Sequence, residues 1–236
     1  MSLFTALNQS SSPGPDWLWL PGWSFSADIF LSLAQALPGN HLGLDYRQTP
    51  TDLSTTLQQL SAEAPPNAIW VGWSLGGALA HLAAPQCSAR ALVTLATSPA
   101  FCSADADADY GLDADLLQQF IQGYQQAADK TLRRFLALCA QGADDARTLI
   151  RTLQASQLPS STTLEHSLRW LQEYHLQSLS RLPVQQHWYG PADALNARGL
   201  QPARYSPANS HAFFVENSGQ APLIQELRAL AAQVYP

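Results

Sequence analysis

Over its first hundred residues the chain alternates short apolar runs with stretches of helical period. Trp17-Leu18-Trp19-Leu20 predicts a strand over residues 16–20 that stops at Pro21-Gly22-Trp23. Residues 27–37 fit a helix, 41–45 a second strand, and 52–62 a helix capped by Thr51 or Asp52. Ala68-Ile69-Trp70-Val71 is an apolar strand followed by a helix from Gly77 to Leu82, and residues 91–96 form a continuous apolar strand. Strands alternating with helices of about ten residues imply a mostly parallel sheet flanked by helices.

The rhythm changes after Ser98-Pro99. Residues 117–125, 130–140, 144–154 and 163–179 have helical patterns with no convincing strand between them. Strands resume at 184–189 and 203–206, and 222–234 closes the chain as a helix. The expected organisation is an α/β core made of residues 1–100 and 183–236. A helical lid, residues 101–182, is inserted in it and opens with an acidic stretch over 105–115. The fold class is α/β, a mostly parallel central sheet flanked by helices and interrupted by a helical insertion.

Chemistry enters at Gly72-Trp73-Ser74-Leu75-Gly76. A Gly-x-Ser-x-Gly turn between a strand and a helix is a nucleophile elbow, where a side chain on a flanking residue would force strand and helix apart. A serine hydroxyl is a weak nucleophile at neutral pH and needs a histidine base and an acid to orient that base. Such an elbow in such a sheet implies the α/β-hydrolase fold, in which the order is serine, acid, histidine, with the partners on loops leaving the carboxyl ends of strands. Beyond the insertion the acids are Asp193, Glu216 and Glu226, and only Asp193 lies in a loop directly after a strand. His187 sits inside a strand, whereas His211 lies in a loop after one, so Ser74, Asp193 and His211 form the expected catalytic set. His81, His166 and His175 read as packing or surface residues. Backbone N–H groups for the oxyanion are expected from Leu75 and from Trp23 in the loop after the first predicted strand.

Composition narrows the partners. The net charge of −6 argues against general nucleic-acid binding. No apolar run approaches the roughly 18 residues a membrane helix needs, and residues 1–9 lack the features of a signal peptide. A cytoplasmic monomer is expected. Cys87, Cys102 and Cys139 have no metal or disulfide spacing, and the histidines have no metal-binding spacing, so neither metal nor cofactor is expected. Five of the twelve basic residues fall within Lys130–Arg151 against two acids, making that window +3 on an acidic chain. Lys130/Arg134 and Arg147/Arg151 are each spaced i,i+4, opposite the apolar stripes Leu132, Phe135, Leu136, Cys139 and Ala146, Leu149, Ile150, Leu153. Such helices could cover the cleft with their apolar faces. Their basic faces could be merely solvated, or could dock an acidic partner or a phosphate.

Several segments together resemble one known family. These are Trp70-Val71-Gly72-Trp73-Ser74-Leu75-Gly76-Gly77, Leu20-Pro21-Gly22-Trp23, Thr94-Leu95-Ala96-Thr97-Ser98-Pro99-Ala100-Phe101 and Arg134-Phe135-Leu136-Ala137-Leu138, with the spacing from Phe135 through Gly142 to Arg147. They are similar to the pimeloyl-acyl-carrier-protein methyl ester esterases of biotin synthesis, from about residue 20 to the end. The resemblance implies a serine carboxylesterase using Ser74, Asp193 and His211, with oxyanion donors at Trp23 and Leu75. It implies a substrate channel lined by Trp23 and by Phe135, Leu136, Ala137, Leu138 and Cys139. It further implies that Lys130, Arg134, Arg147 and Arg151 hold acyl carrier protein, an acidic partner bearing phosphopantetheine. Arg133 is additional, and Lys130 stands where an arginine is usual.

Overall fold

Seven strands form one sheet in the computed structural model, which describes residues 2–9, 12–102, 110–176, 182 and 184–235. In chain order they are β1 (Phe4–Gln9), β2 (Asp16–Leu20), β3 (Asn40–Leu44), β4 (Ile69–Trp73), β5 (Ala91–Leu95), β6 (Gln185–Tyr189) and β7 (Ala203–Tyr205). Across the sheet the order is β1-β3-β2-β4-β5-β6-β7, with β1 antiparallel to β3 and every other pair parallel. Every residue of β4 and β5 is buried, as expected of central strands covered on both faces. This is the α/β-hydrolase arrangement.

β1 was not expected from the sequence. Its Phe4-Thr5-Ala6-Leu7 pattern is too short to stand out, and pairing with β3 supplies what propensity does not. It lies at the sheet edge and carries an irregularity between Ala6 and Asn8.

The helices are α1 (Leu31–Gln35), α2 (Leu53–Glu63), α3 (Leu75–Ala83), α4 (Ala114–Ala140), α5 (Ala146–Ala155), α6 (Thr162–Glu173) and α7 (Asn217–Val234). The helix expected over 27–37 is a 3-10 turn, Ala27–Phe30, followed by the short α1. Asp52 is the cap of α2, its carboxylate accepting from Thr55 N at 2.8 Å. The two helices expected at 117–125 and 130–140 are the two arms of α4, separated by a kink where Ala127 leaves helical geometry at φ −153° and ψ 69°. α7 begins at Asn217, before Pro222 rather than at it.

α6 ends at Glu173, short of the expected residue 179. There the chain is drawn onto the end of β5: Tyr174 Oη donates to the Ser98 carbonyl at 3.0 Å, and Leu176 N to the Pro99 carbonyl at 2.7 Å. Residues 177–181, and residues 105–109 of the acidic stretch with the two before them, lie outside the described residues.

The helical segment between β5 and β6 crosses the carboxyl ends of the strands. Leu158 N donates to the Ser24 carbonyl and Ser26 N to the Ser156 carbonyl, both at 2.8 Å, tying it to the loop after β2. Ala212 N donates to the Cys139 carbonyl at 3.2 Å, tying it to the loop after β7. β3 lies on one side of β2 and β4 on the other, so the chain reverses direction across the sheet beside β2. A crevice forms at such a switch point, outside the carboxyl ends of the strands.

Candidate active site

Ser74 occupies the turn between β4 and α3 with φ 53° and ψ −119°. That conformation costs a non-glycine residue about 1–3 kcal/mol and persists only where its surroundings hold it. Here Ser74 N donates to the Leu95 carbonyl at 2.8 Å, and the Thr97 hydroxyl donates to the Ser74 carbonyl at 3.2 Å. The elbow glycines are steric necessities. A Cβ on Gly72 would lie 2.5 Å from the Gly76 carbonyl oxygen, and one on Gly77 would collide with the Thr97 hydroxyl.

The loop after β6 delivers Asp193 and the loop after β7 delivers His211. Leu195 N donates to Asp193 Oδ1 at 2.8 Å, which leaves Oδ2 to face His211 Nδ1 at 2.7 Å. A carboxylate only accepts, so this contact assigns the proton of neutral His211 to Nδ1 and leaves Nε2 as a base. Nε2 is buried and has no hydrogen-bond partner among the described residues. The two side chains are 1% and 2% exposed, respectively, for His211 and Asp193.

Several residues that hold this pair were not singled out by the sequence. Trp73 Nε1 donates to the His211 carbonyl at 3.1 Å, and its ring lies 5.6 Å from the imidazole. Gly190 lets the acid loop press on the histidine loop, since a Cβ there would strike the Ser210 carbonyl. Glu216 braces the same loop by accepting from Ser210 Oγ at 2.6 Å and from Asp144 N at 3.3 Å. The position of Trp73 inside the elbow motif and of Glu216 just after the histidine were the available signals. Glu226 is occupied elsewhere, in an ion pair with Arg204. His81 and His187 face one another in the interior, ring centroids 5.7 Å apart, with Thr94 Oγ1 2.8 Å from His187 Nδ1.

A cavity of about 220 Å3 opens from Ser74, with Trp23, Phe120, Phe135 and Leu138 among its walls. The buried Trp23 ring meets Phe120, Tyr124 and Phe135 edge-on at 5.6, 5.5 and 5.1 Å, and its Nε1 donates to the Leu164 carbonyl at 2.8 Å. Truncating so buried an aromatic costs about 3–5 kcal/mol. Of the five α4 residues expected to line a substrate channel, Phe135 and Leu138 border this cavity. Leu136 and Cys139 are instead packed in the core and Ala137 is exposed. Helical geometry explains the correction: positions 135 and 138 share a face, and a run of five consecutive residues cannot. Phe101, Leu112, Leu171 and Leu195 also line it.

Trp23 and Leu75 follow neighbouring strands, whose register pairs Leu20 with Gly72. The Leu75 N–H opens α3 and has no acceptor within its helix. The Trp23 N–H makes no hydrogen bond among the described residues. Leu75 adjoins Ser74 in the chain, and Trp23 and Ser74 line the same cavity.

Lys130, Arg134, Arg147 and Arg151 are all exposed, and none forms an ion pair among the described residues. Arg134 also borders the large cavity. The apolar residues Leu132, Phe135, Leu149 and Leu153 on the same helices are buried. Among the described residues no cluster of three or more metal-ligating side chains occurs, and no helix is long and apolar enough to cross a membrane.

No family model matches the chain. Curated relatives do. The pimeloyl-[acyl-carrier protein] methyl ester esterase of Shewanella sp. strain MR-7 is 30% identical over 94% of this chain and 90% of its own length. The protein of the same name from Edwardsiella ictaluri is 34% identical over 81% of this chain and 78% of its own. Among solved structures, an esterase from Exiguobacterium antarcticum superposes with a TM-score of 0.70 at 14% identity, covering 97% of this chain and 94% of the other, a likeness of fold.

Proposed function

This chain belongs to the family of pimeloyl-[acyl-carrier protein] methyl ester esterases, and on that footing we propose that it hydrolyses the methyl ester of a pimeloyl chain carried on acyl carrier protein, a step of biotin synthesis. The observation that carries the reading is the buried pair of His211 Nδ1 and Asp193 Oδ2 at 2.7 Å, with Nε2 unpartnered among the described residues and in the same crevice as a strained serine.

Nε2 of His211 takes the Ser74 proton as Oγ attacks the ester carbonyl. The Trp23 and Leu75 N–H groups stabilise the oxyanion of the tetrahedral intermediate. Donors fixed in advance in a dry site are worth about 3–4 kcal/mol each in such reactions. His211 then protonates departing methanol, and in the second half-reaction it activates the water that frees the acid.

The pimeloyl chain occupies the cavity between Trp23, Phe120 and Phe135, and the segment between β5 and β6 acts as a lid over it. Lys130, Arg134, Arg147 and Arg151 receive the acidic carrier on the outer face of that lid. In this reading the enzyme works as a monomer in the cytoplasm, where it meets the carrier.

The test compares carrier-bound pimeloyl methyl ester with free monomethyl pimelate at low and moderate salt. Turnover of the carrier-bound ester should dominate at low salt and weaken as salt screens the lid. Replacing all four basic residues by Gln should lower kcat/KM for the carrier-bound ester by about 10- to 1000-fold. The loss on the free ester should be far smaller. Equal, salt-insensitive turnover of both esters would instead make this a general short-chain carboxylesterase.

A further inference from the structure

The large cavity is not the only space beside Ser74. A second cavity, of about 10 Å3, has Ser74, His211, Ala78, Ala96, Ser98 and Ala197 among its walls, and it shares Ser74, Phe101, Leu171 and Leu195 with the large one. That is room for roughly one water-sized group. Chemistry decides what enters it. The departing alcohol must take its proton from His211 Nε2, so its oxygen and the alkyl group on it lie on the His211 side of Ser74. The large cavity reaches Trp23 and Phe135 and does not include His211 in its lining, so it takes the acyl chain.

We infer that the small cavity is the alcohol subsite, sized for a single carbon, and that Ala78, Ala96 and Ala197 make the enzyme selective for methyl esters over esters of larger alcohols. This rests on the esterase reading above. In the first half-reaction the bond from the carbonyl carbon to the methoxy oxygen breaks, Nε2 gives that oxygen its proton, and methanol leaves an acylated Ser74. Water, smaller than methanol, then enters the same space. It passes a proton to Nε2 as its oxygen attacks the acyl carbonyl, and that proton returns to Ser74 Oγ as the acid departs. One small subsite thus serves both the leaving group and the incoming nucleophile.

The walls are built to stay where they are. Tyr174 Oη holds the Ser98 carbonyl at 3.0 Å, and Ser98 Oγ accepts from Arg198 N at 2.8 Å. Ala96 is wedged between β5 and the elbow at φ 49°, with its N–H on the Trp188 carbonyl at 2.8 Å. A larger alkyl group would press on these backbone-held walls or on the side chains of Phe101, Leu171, Tyr174 and Leu195 that close the rest of the space.

The experiment measures kcat/KM on methyl, ethyl and isopropyl esters of the same pimeloyl-carrier protein. Each added carbon should cost about 10-fold, the usual scale for one carbon too many in a closed pocket. Ala96→Gly removes one methyl group from the wall at a backbone position glycine accepts without strain. It should raise the ethyl-to-methyl ratio by about 10-fold. Ala197→Val narrows the space and should lower methyl ester turnover while leaving the enzyme folded by thermal melting; if it does not fold, Ala96→Gly carries the test. Equal wild-type turnover of methyl and isopropyl esters would overturn the assignment, as would a preference that Ala96→Gly leaves unmoved. Failure to hydrolyse any of the three esters would sink the esterase reading itself, a result distinct from a flat series.

Discussion

Ser74→Ala should lower kcat on the methyl ester by about a millionfold, and His211→Ala by a similar factor, because nucleophile and base act as one unit. The double variant should be little worse than either single one. Asp193→Asn is the more informative change, with an expected loss of about 10,000-fold. Leu195 N donates to Asp193 Oδ1 at 2.8 Å, so an asparagine would keep its carbonyl there and turn its amide NH2 toward His211 Nδ1. Nδ1 would become the acceptor, and the ring proton would move to Nε2, where it blocks removal of the Ser74 proton. Steady-state hydrolysis with fluorophosphonate labelling of the serine checks both points. Full esterase activity in Ser74→Ala would refute the mechanism.

Acidification should destabilise the fold between pH 6.5 and 4 by several kcal/mol. His41, His81 and His187 are 1%, 1% and 0% exposed, and desolvation by burial pushes each of them from 6.5 down to about 4. His187 is lowered further by His81 facing it. These groups stay neutral in the folded chain and take up protons on unfolding. Their effect is therefore absent above pH 6.5, grows as pH falls, and levels off below about 4. A displacement of this size is on the order of 3 kcal/mol per histidine, against a typical total stability of about 5–15 kcal/mol.

His81 is the sharpest probe, since neither of its ring nitrogens has a hydrogen-bond partner among the described residues. His81→Leu should recover about a third of the acid loss while leaving stability at pH 7 undiminished. Urea unfolding at several pH values measures this directly. Stability that did not change from pH 7 to 4.5 would mean these histidines are not held neutral.

These predictions draw unequally on sequence and structure. The elbow was legible because its constraint is local. Strand, serine and helix are contiguous, and the glycines that must lack side chains are neighbours in the chain. β2, β4 and β5 were legible for a related reason, since central strands covered on both faces must be apolar throughout. Asp193 and His211 could be picked out from their positions just after strands. The basic residues of α4 and α5 stood out from an acidic background.

What the sequence did not carry depends on residues far apart along the chain. β1 forms because β3 offers it an edge, a partner some 35 residues away. α6 stops where Tyr174 and Leu176 find carbonyls at the end of β5, although the helical pattern continues. The same holds at the site. A run of five residues in α4 resembled a channel lining, but a helix can turn only part of such a run to one side. Phe135 and Leu138 reach the cavity, while Leu136 and Cys139 face the core. Trp73 holding the His211 carbonyl and Glu216 accepting from Asp144 N are contacts between segments far apart along the chain. The sequence by itself determined the fold class and which residues could do chemistry, because both follow from local pattern and residue type. Only the tertiary structure decided which nitrogen of His211 is free, which side chains bound the cavities, and how much room lies beside the serine. Those are distances between segments brought together by packing, and packing is a property of the whole chain.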